Sequence, residues 1–225
     1  LAGGVAVLSA VFESLEIDEM RPARGALRVG VLYDLLGRRE RKDLRDSTVV
    51  RMQGRFSVDR AQAQRVTALA TQFLSALNTA ASDEMANRLR WAALLHEVGF
   101  AISHNDYHKH SAYLIQHSDI AGFSTSDQER VATLVLAQRG NLKKVYQALE
   151  DHEGAASILS LRLAVILAHA RRAVELPNWS VKFGKTIELG LASDWLTRHP
   201  LTQYLLEEEA THWERVGVAF ALRPL

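Results

Sequence analysis

One segment limits the fold of this chain more than any other. Between Leu89 and Ser118 an apolar helical face is interrupted by an adjacent histidine and glutamate. Trp91, Leu94, Leu95 and Val98 stand at i, i+3, i+4 and i+7, the spacing of a buried helical stripe. His96 and Glu97 fall inside that run. A titratable pair in such a place is costly to bury unless it is paired, hydrogen-bonded or bound to a ligand. Gly99 reads as the helix stop. His104, His108, His110 and His117 follow, so five of the nine histidines lie in this one stretch.

The rest of the chain reads as helix after helix, with a change of period near its end. Val5, Leu8, Phe12 and Leu15 make a first helical face. Ala26 to Leu36 reads as a second helix closed by Gly37, and Arg38 to Arg45 is a charge run expected to be a solvated linker. From Ser57 onward Val66, Leu69, Ala70, Phe73, Leu74 and Leu77 form an unbroken stripe. Ser82 is placed to cap the helix that carries His96 and Glu97. Ser126-Asp127-Gln128-Glu129 reads as a capping box opening another helix. Leu142, Val145, Tyr146 and Leu149 predict one more. Ile158, Leu159, Leu163, Ile166 and Leu167 predict the next, ending in Arg171-Arg172, cations suited to a helix C-terminus. At Pro177 the period switches to two. Trp179, Val181 and Phe183 alternate, Gly184-Lys185 is a two-residue turn, and Ile187, Leu189 and Leu191 alternate again, which predicts a β-hairpin. Helical residues between Ser193 and Trp213 and a last strand over Val216 to Leu222 complete a small α+β module.

With 48% hydrophobic and 24% charged residues, 225 residues can bury a substantial core without staples. Zero cysteines exclude disulfides and thiolate metal sites and fit a reducing compartment, so a cytoplasmic location is expected. A net charge of +1 gives no general argument for a nucleic-acid partner, and no apolar run reaches the length of a membrane span. Leu1-Ala2-Gly3-Gly4 lacks a charged leader and starts inside an apolar pattern, which is expected of a cut end of a longer polypeptide.

Two groups of residues carry candidate chemistry. Adjacent His96 and Glu97 resemble the His-Asp doublet of the HD phosphohydrolases, all-α enzymes that cut phosphoesters with a divalent metal. That class also needs an earlier histidine and a later aspartate. Here the earlier helix reads Ala61-Gln62-Ala63-Gln64-Arg65-Val66, and Val165 stands where the aspartate is wanted. The expectation is therefore a degenerate doublet without metal, hydrogen-bonded to neighbours such as Tyr107 or His110. The second group is His108, Lys109 and His110 at a helix start, with Arg139, candidates for contact with a polyanion because helix N–H groups and cationic donors both favour one. The other reading of that group is a polar loop before a capped helix. Arg139, Lys143, Lys144, Arg171 and Arg172 otherwise read as scattered solvated cations. No phosphate-binding loop, nucleophile elbow, dinucleotide fingerprint or zinc spacing occurs.

Taken together, Leu94-Leu95-His96-Glu97-Val98-Gly99, Tyr107-His108-Lys109-His110-Ser111-Ala112-Tyr113 and Ser118-Asp119-Ile120-Ala121-Gly122-Phe123 resemble the second half of the Ppx/GppA exopolyphosphatases. Leu1 to Leu8 and Gly25 to Asp34 resemble the last helices of that family's actin-like (ASKHA) core, although Val29 stands where a glutamate is expected. Trp195-Leu196, His199-Pro200-Leu201-Thr202 and Trp213 to Gly217 resemble its terminal module. The resemblance implies a mainly α chain. Residues 1–37 would be the terminal helices of a truncated actin-like domain, 38–56 a linker, 57–175 a degenerate HD-like domain and 176–225 the α+β module. It implies a phosphohydrolase that removes terminal phosphate from inorganic polyphosphate, with guanosine pentaphosphate a further substrate for some members and Mg2+ a cofactor of the whole enzyme. The catalytic carboxylates would lie outside this chain, which would contribute polyanion binding and homodimerisation. Two alternatives stand beside it: a free-standing HD-type metal-dependent phosphohydrolase, which bound metal and loss of activity to chelators would reveal, and a regulatory or scaffold module without a ligand.

Overall fold

One helix of the chain is buried along nearly its whole length. In the computed structural model, which describes residues 2–17, 19, 43–77 and 81–225, that helix runs from His152 to Leu167. All but a few of its side chains from Ala155 onward are buried, including Ser157, Ser160 and Arg162. Its sequence has apolar residues on every side, the pattern of a helix with no solvent face. Asp151 caps it, accepting from Glu153 N and Gly154 N.

The described residues fall into two units, 1–43 and 44–225. In the first, α1 (Ala2–Ser14) follows the expected face, but none of its residues is buried, and Val5, Val7, Leu8 and Val11 are exposed. The second helix expected over Ala26 to Leu36, the Gly25 to Asp34 string and most of the charge run lie outside the described residues.

The second unit is a helical bundle with a small sheet. Its helices are α2 (Leu44–Arg55), α3 (Arg60–Leu77), α4 (Asp83–Leu95), α5 (Tyr107–His117), α6 (Thr125–Ala137), α7 (Tyr146–Leu149) and α8 (His152–Leu167), followed by α9 (Ser193–Arg198) and α10 (Pro200–Glu214). Short 3-10 turns occupy Val98–Ala101 and Leu142–Val145. The linker expected over 38–56 is helical from Leu44. Thr48, Val49, Met52 and Gln53 of α2 are buried, Thr48 Oγ1 donates to Ala121 O at 2.8 Å, and Gln53 Nε2 donates to Leu94 O at 2.9 Å. Arg45, read as part of a solvated run, bonds Glu84 at 2.7 Å and lies 4.2 Å over the Trp91 ring. Charge density hid the helix because its apolar residues are few and its buried polar ones are satisfied across the interface.

Two boundaries also differ from expectation. The α6 cap is Ser124, which accepts from Asp127 N, rather than Ser126. The segment from Leu142 to Leu149 is a 3-10 turn followed by a four-residue helix, not one helix.

β1 (Trp179–Phe183) and β2 (Thr186–Leu191) form the expected antiparallel hairpin, with Val181 opposite Leu189. β3 (Ala219–Pro224) pairs with β2 in parallel, so the order is β1-β2-β3 and α9 and α10 form the crossover. The sheet joins the bundle through aromatics. Trp179 meets Phe73 of α3 edge-on at 4.9 Å, and Phe183 meets Trp213 of α10 at 5.7 Å. One hydrophobic core runs through both parts.

Candidate functional site

The histidine-glutamate doublet ends α4. His96 is its C-cap and is 1% exposed. His96 Nδ1 lies 2.7 Å from Ala93 O, so that nitrogen carries the proton and donates. Nε2 then presents a lone pair, 3.7 Å from Glu97 Oε1. Burial pushes the His96 pKa down against the opposing pull of Glu97, which keeps the ring neutral.

Glu97 has a partner that the sequence did not suggest. Arg171 Nη1 donates to its Oε1 at 2.8 Å and Nη2 to its Oε2 at 3.0 Å, a two-pronged charge-assisted pair. Arg171 Nη2 also reaches Asp59 at 3.2 Å. The expected bonds from the doublet to Tyr107 or His110 are replaced by Ala93 O and Arg171. The chain beyond α8 turns back here with Arg171 in a left-handed conformation (φ 54). That conformation is unfavourable for a residue with a Cβ. Val165, read as the missing aspartate position, lines the same cleft, as does Gln62, which donates to Ala168 O at 2.9 Å. Among the described residues no three His, Asp or Glu side chains converge as a cation cage.

The string after the doublet explains how α5 docks. The His96 carbonyl accepts from Ser111 Oγ at 3.0 Å and from Gln138 Nε2 at 2.9 Å, and Ser111 Oγ in turn accepts from Gly99 N at 2.8 Å. A Cβ on Gly99 would stand 2.2 Å from Tyr107 O, so the glycine is there for close approach rather than as a helix stop.

The four polyanion candidates do come near one another, in different roles. His108 is 6% exposed with Nδ1 unpartnered, and burial followed by the Lys144 charge takes its pKa down to about 4. Lys109 is exposed and pairs with Asp106 at 2.9 Å. His110 is half-buried and, like His108 and Lys109, lowers the Asp106 pKa. Arg139 is exposed, with its guanidinium 6.0 Å over the Tyr107 ring. The structure adds Lys144, whose ammonium donates to Arg139 O at 2.7 Å. Its desolvation, together with Arg162 and Lys109, brings its pKa down to about 8. Nothing in the local pattern marked Lys144, because it reaches the group across a turn.

Behind this face lies a cleft of about 420 Å³ lined by His96, Glu97, Tyr107, Gln138, Arg139 and His212, among others. Gln138 Oε1 and His212 Nδ1 have no partner. The cleft floor includes a second arginine–glutamate pair missed in the sequence. Arg162 Nε donates to Glu209 Oε1 and Nη2 to Oε2, at 2.5 and 2.6 Å, and Trp213 Nε1 shares Oε1 at 2.6 Å.

Residues 44–210 match Ppx/GppA phosphatase, domain III. The chain is similar to a protein named guanosine-5'-triphosphate,3'-diphosphate pyrophosphatase from Pseudoalteromonas translucida (strain TAC 125), at 36% identity over 224 residues, covering 95% of this chain and 44% of that relative. The chain belongs to the Ppx/GppA phosphatase family. It spans less than half the length of the curated relative it matches.

Proposed function

We propose that this chain is the C-terminal portion of a phosphohydrolase that removes terminal phosphate from inorganic polyphosphate, with a guanosine polyphosphate, as in the relative's name, as a second substrate. In this reading the catalytic carboxylates and the Mg2+ they hold belong to an actin-like core outside the described bundle. The bundle is a degenerate HD-like domain whose part is to bind the anionic chain, and the protein works as a homodimer. The observation that carries the reading is the basic group at the start of α5. Lys109, Arg139 and Lys144 gather around buried His108, with Asp106 the one acid facing them in that group. Desolvation, and after it the charges of Arg162 and Lys109, bring Lys144 down to about 8, and a polyanion placed there would favour its charged form.

Displacement of counterions makes such binding fall steeply with salt. The test is titration of inorganic polyphosphate into the purified chain at low and high salt, with Lys109→Glu and Arg139→Ala beside the wild type. The expected result is a linear fall of log affinity with log salt and about a tenfold loss in each variant. Unchanged affinity in Lys109→Glu and Arg139→Ala overturns the assignment. Affinity should also fall as pH rises through about 8, as Lys144 loses its proton, and Lys144→Met should remove that step.

A further inference from the structure

A separate cavity, of about 360 Å³, lies where α4, α6, α7 and the start of α8 meet. It shares no lining residue with the cleft at His96 and Glu97. Its floor is buried and its rim is not. Met85 of α4, Leu134 of α6 and Ser157 of α8 form the floor. Glu129 and Arg130 of α6, with Asp151 and Glu153 at the head of α8, stand exposed around it.

The fold accounts for part of the polar wall. Asp151 spends both carboxylate oxygens on the backbone of Glu153 and Gly154. Arg88 donates to Asp127 at 3.0 Å, and Thr133 Oγ1 donates to Glu129 O at 2.9 Å. Four groups are left over. The side chains of Glu129, Arg130, Glu153 and Ser157 make no ion pair or hydrogen bond among the described residues. Ser157 is the telling one. A serine inside a helix can turn its hydroxyl to the carbonyl one turn earlier, as Ser160 does to Ala156 O at 2.7 Å. Ser157, 4% exposed, does not. A buried hydroxyl without a partner is costly, and this one lines the cavity.

The unused groups carry both signs and stand over an apolar floor. An anion would meet Arg130 but also two free carboxylates. A cation would meet the carboxylates but also the guanidinium. An apolar molecule leaves both signs and the Ser157 hydroxyl without a partner. A zwitterion with an apolar arm engages all of them, and the volume is at the small end of ligand sites. We infer that this cavity binds a free α-amino acid with an apolar side chain. Glu153 and Ser157, one turn apart on the same face of α8, take its ammonium. Arg130, on α6, takes its carboxylate in the two-pronged manner of a guanidinium. The side chain lies on Met85 and Leu134. The site is separate from the basic group at α5 and does not rest on the polyphosphate reading.

The test is calorimetric titration of the chain with L-leucine and L-methionine, and with isocaproate and isoamylamine, which are leucine without its ammonium and without its carboxylate. Leucine should bind about tenfold or more tightly than either half-molecule. Arg130→Ala should weaken leucine about tenfold and leave isoamylamine as it was. Glu153→Gln should weaken leucine by a similar factor and leave isocaproate as it was. Both residues are exposed and unpaired, so these variants keep the fold. Ser157→Ala should weaken leucine severalfold without lowering the melting temperature, because the hydroxyl has no partner inside the fold to lose. No binding of leucine or methionine at millimolar concentration, half-molecules that bind as tightly as leucine, or leucine affinity unchanged in Arg130→Ala or in Glu153→Gln each overturns the site.

Discussion

Two arginine–glutamate pairs face the same cleft and differ in how far water reaches them. The Arg162–Glu209 side chains are 1% and 3% exposed, while Arg171–Glu97 are 43% and 7%. The closed pair joins α8 to α10, two regular helices, and every edge of it is used: Arg162 Nη1 donates to Ala137 O and Trp213 shares the carboxylate. The open pair hangs on a loop residue held in a left-handed conformation. The same chemistry therefore does two jobs. One pair fastens the module to the bundle. The other holds Glu97 in place with a side chain that solvent and ligands can reach.

The sharpest way to break this contrast is to remove the buried cation. Arg162→Met leaves Glu209 charged and sealed, which should cost about 3–5 kcal/mol and lower the melting temperature by on the order of 10 °C. A loss below about 1 kcal/mol in a thermal melt would mean that water reaches the pair after all. Replacing both partners, Arg162→Met with Glu209→Leu, should recover most of that loss, because no uncompensated charge remains.

A smaller effect is expected at the open pair. Arg171→Ala should cost about 2 kcal/mol in denaturant unfolding. Arg171→Gly should cost about 1 kcal/mol less than that, because glycine accepts the left-handed backbone without strain. Equal losses in the two variants would show that the backbone at 171 relaxes freely and that no strain is held there.

Acid sharpens the comparison from the side of the imidazoles. His108 sits at about 4 in the fold against 6.5 in a free chain, and His96 is lowered too. The unfolded chain therefore binds more protons between these values. Stability is complete above about 6.5 and falls as the pH drops toward 4, by on the order of 2 kcal/mol from His108. His108→Gln should flatten the stability profile across that window, and a profile as steep as the wild type's would show that other groups govern it.

Much of the bundle could be read from spacing. The α3 stripe, the Ser82 cap and the alternation of the hairpin strands depend on neighbours within a few residues, whereas the turn spans the three residues between paired Phe183 and Ile187 and the last strand starts at Ala219 rather than Val216. The α2 helix could not, because its anchors, Thr48 to Ala121 and Gln53 to Leu94, are polar and distant in sequence. The doublet was found for the right reason, two titratable groups in an apolar run, but its partner was not. Arg171 looked like an ordinary helix-end cation, and only the turn after α8 brings it back to Glu97.

The sequence by itself determined where most of the bundle helices and the hairpin lie, that His96 and Glu97 must be satisfied inside a core, and that the α5 string carries cations. Local periodicity and the cost of burying charge are enough for that. Which cation meets which carboxylate was decided by the tertiary structure, as in Arg162 with Glu209 and Arg171 with Glu97. Such pairings join residues that are far apart along the chain, and their strength depends on how much water the packed neighbours exclude, a quantity that no stretch of sequence contains.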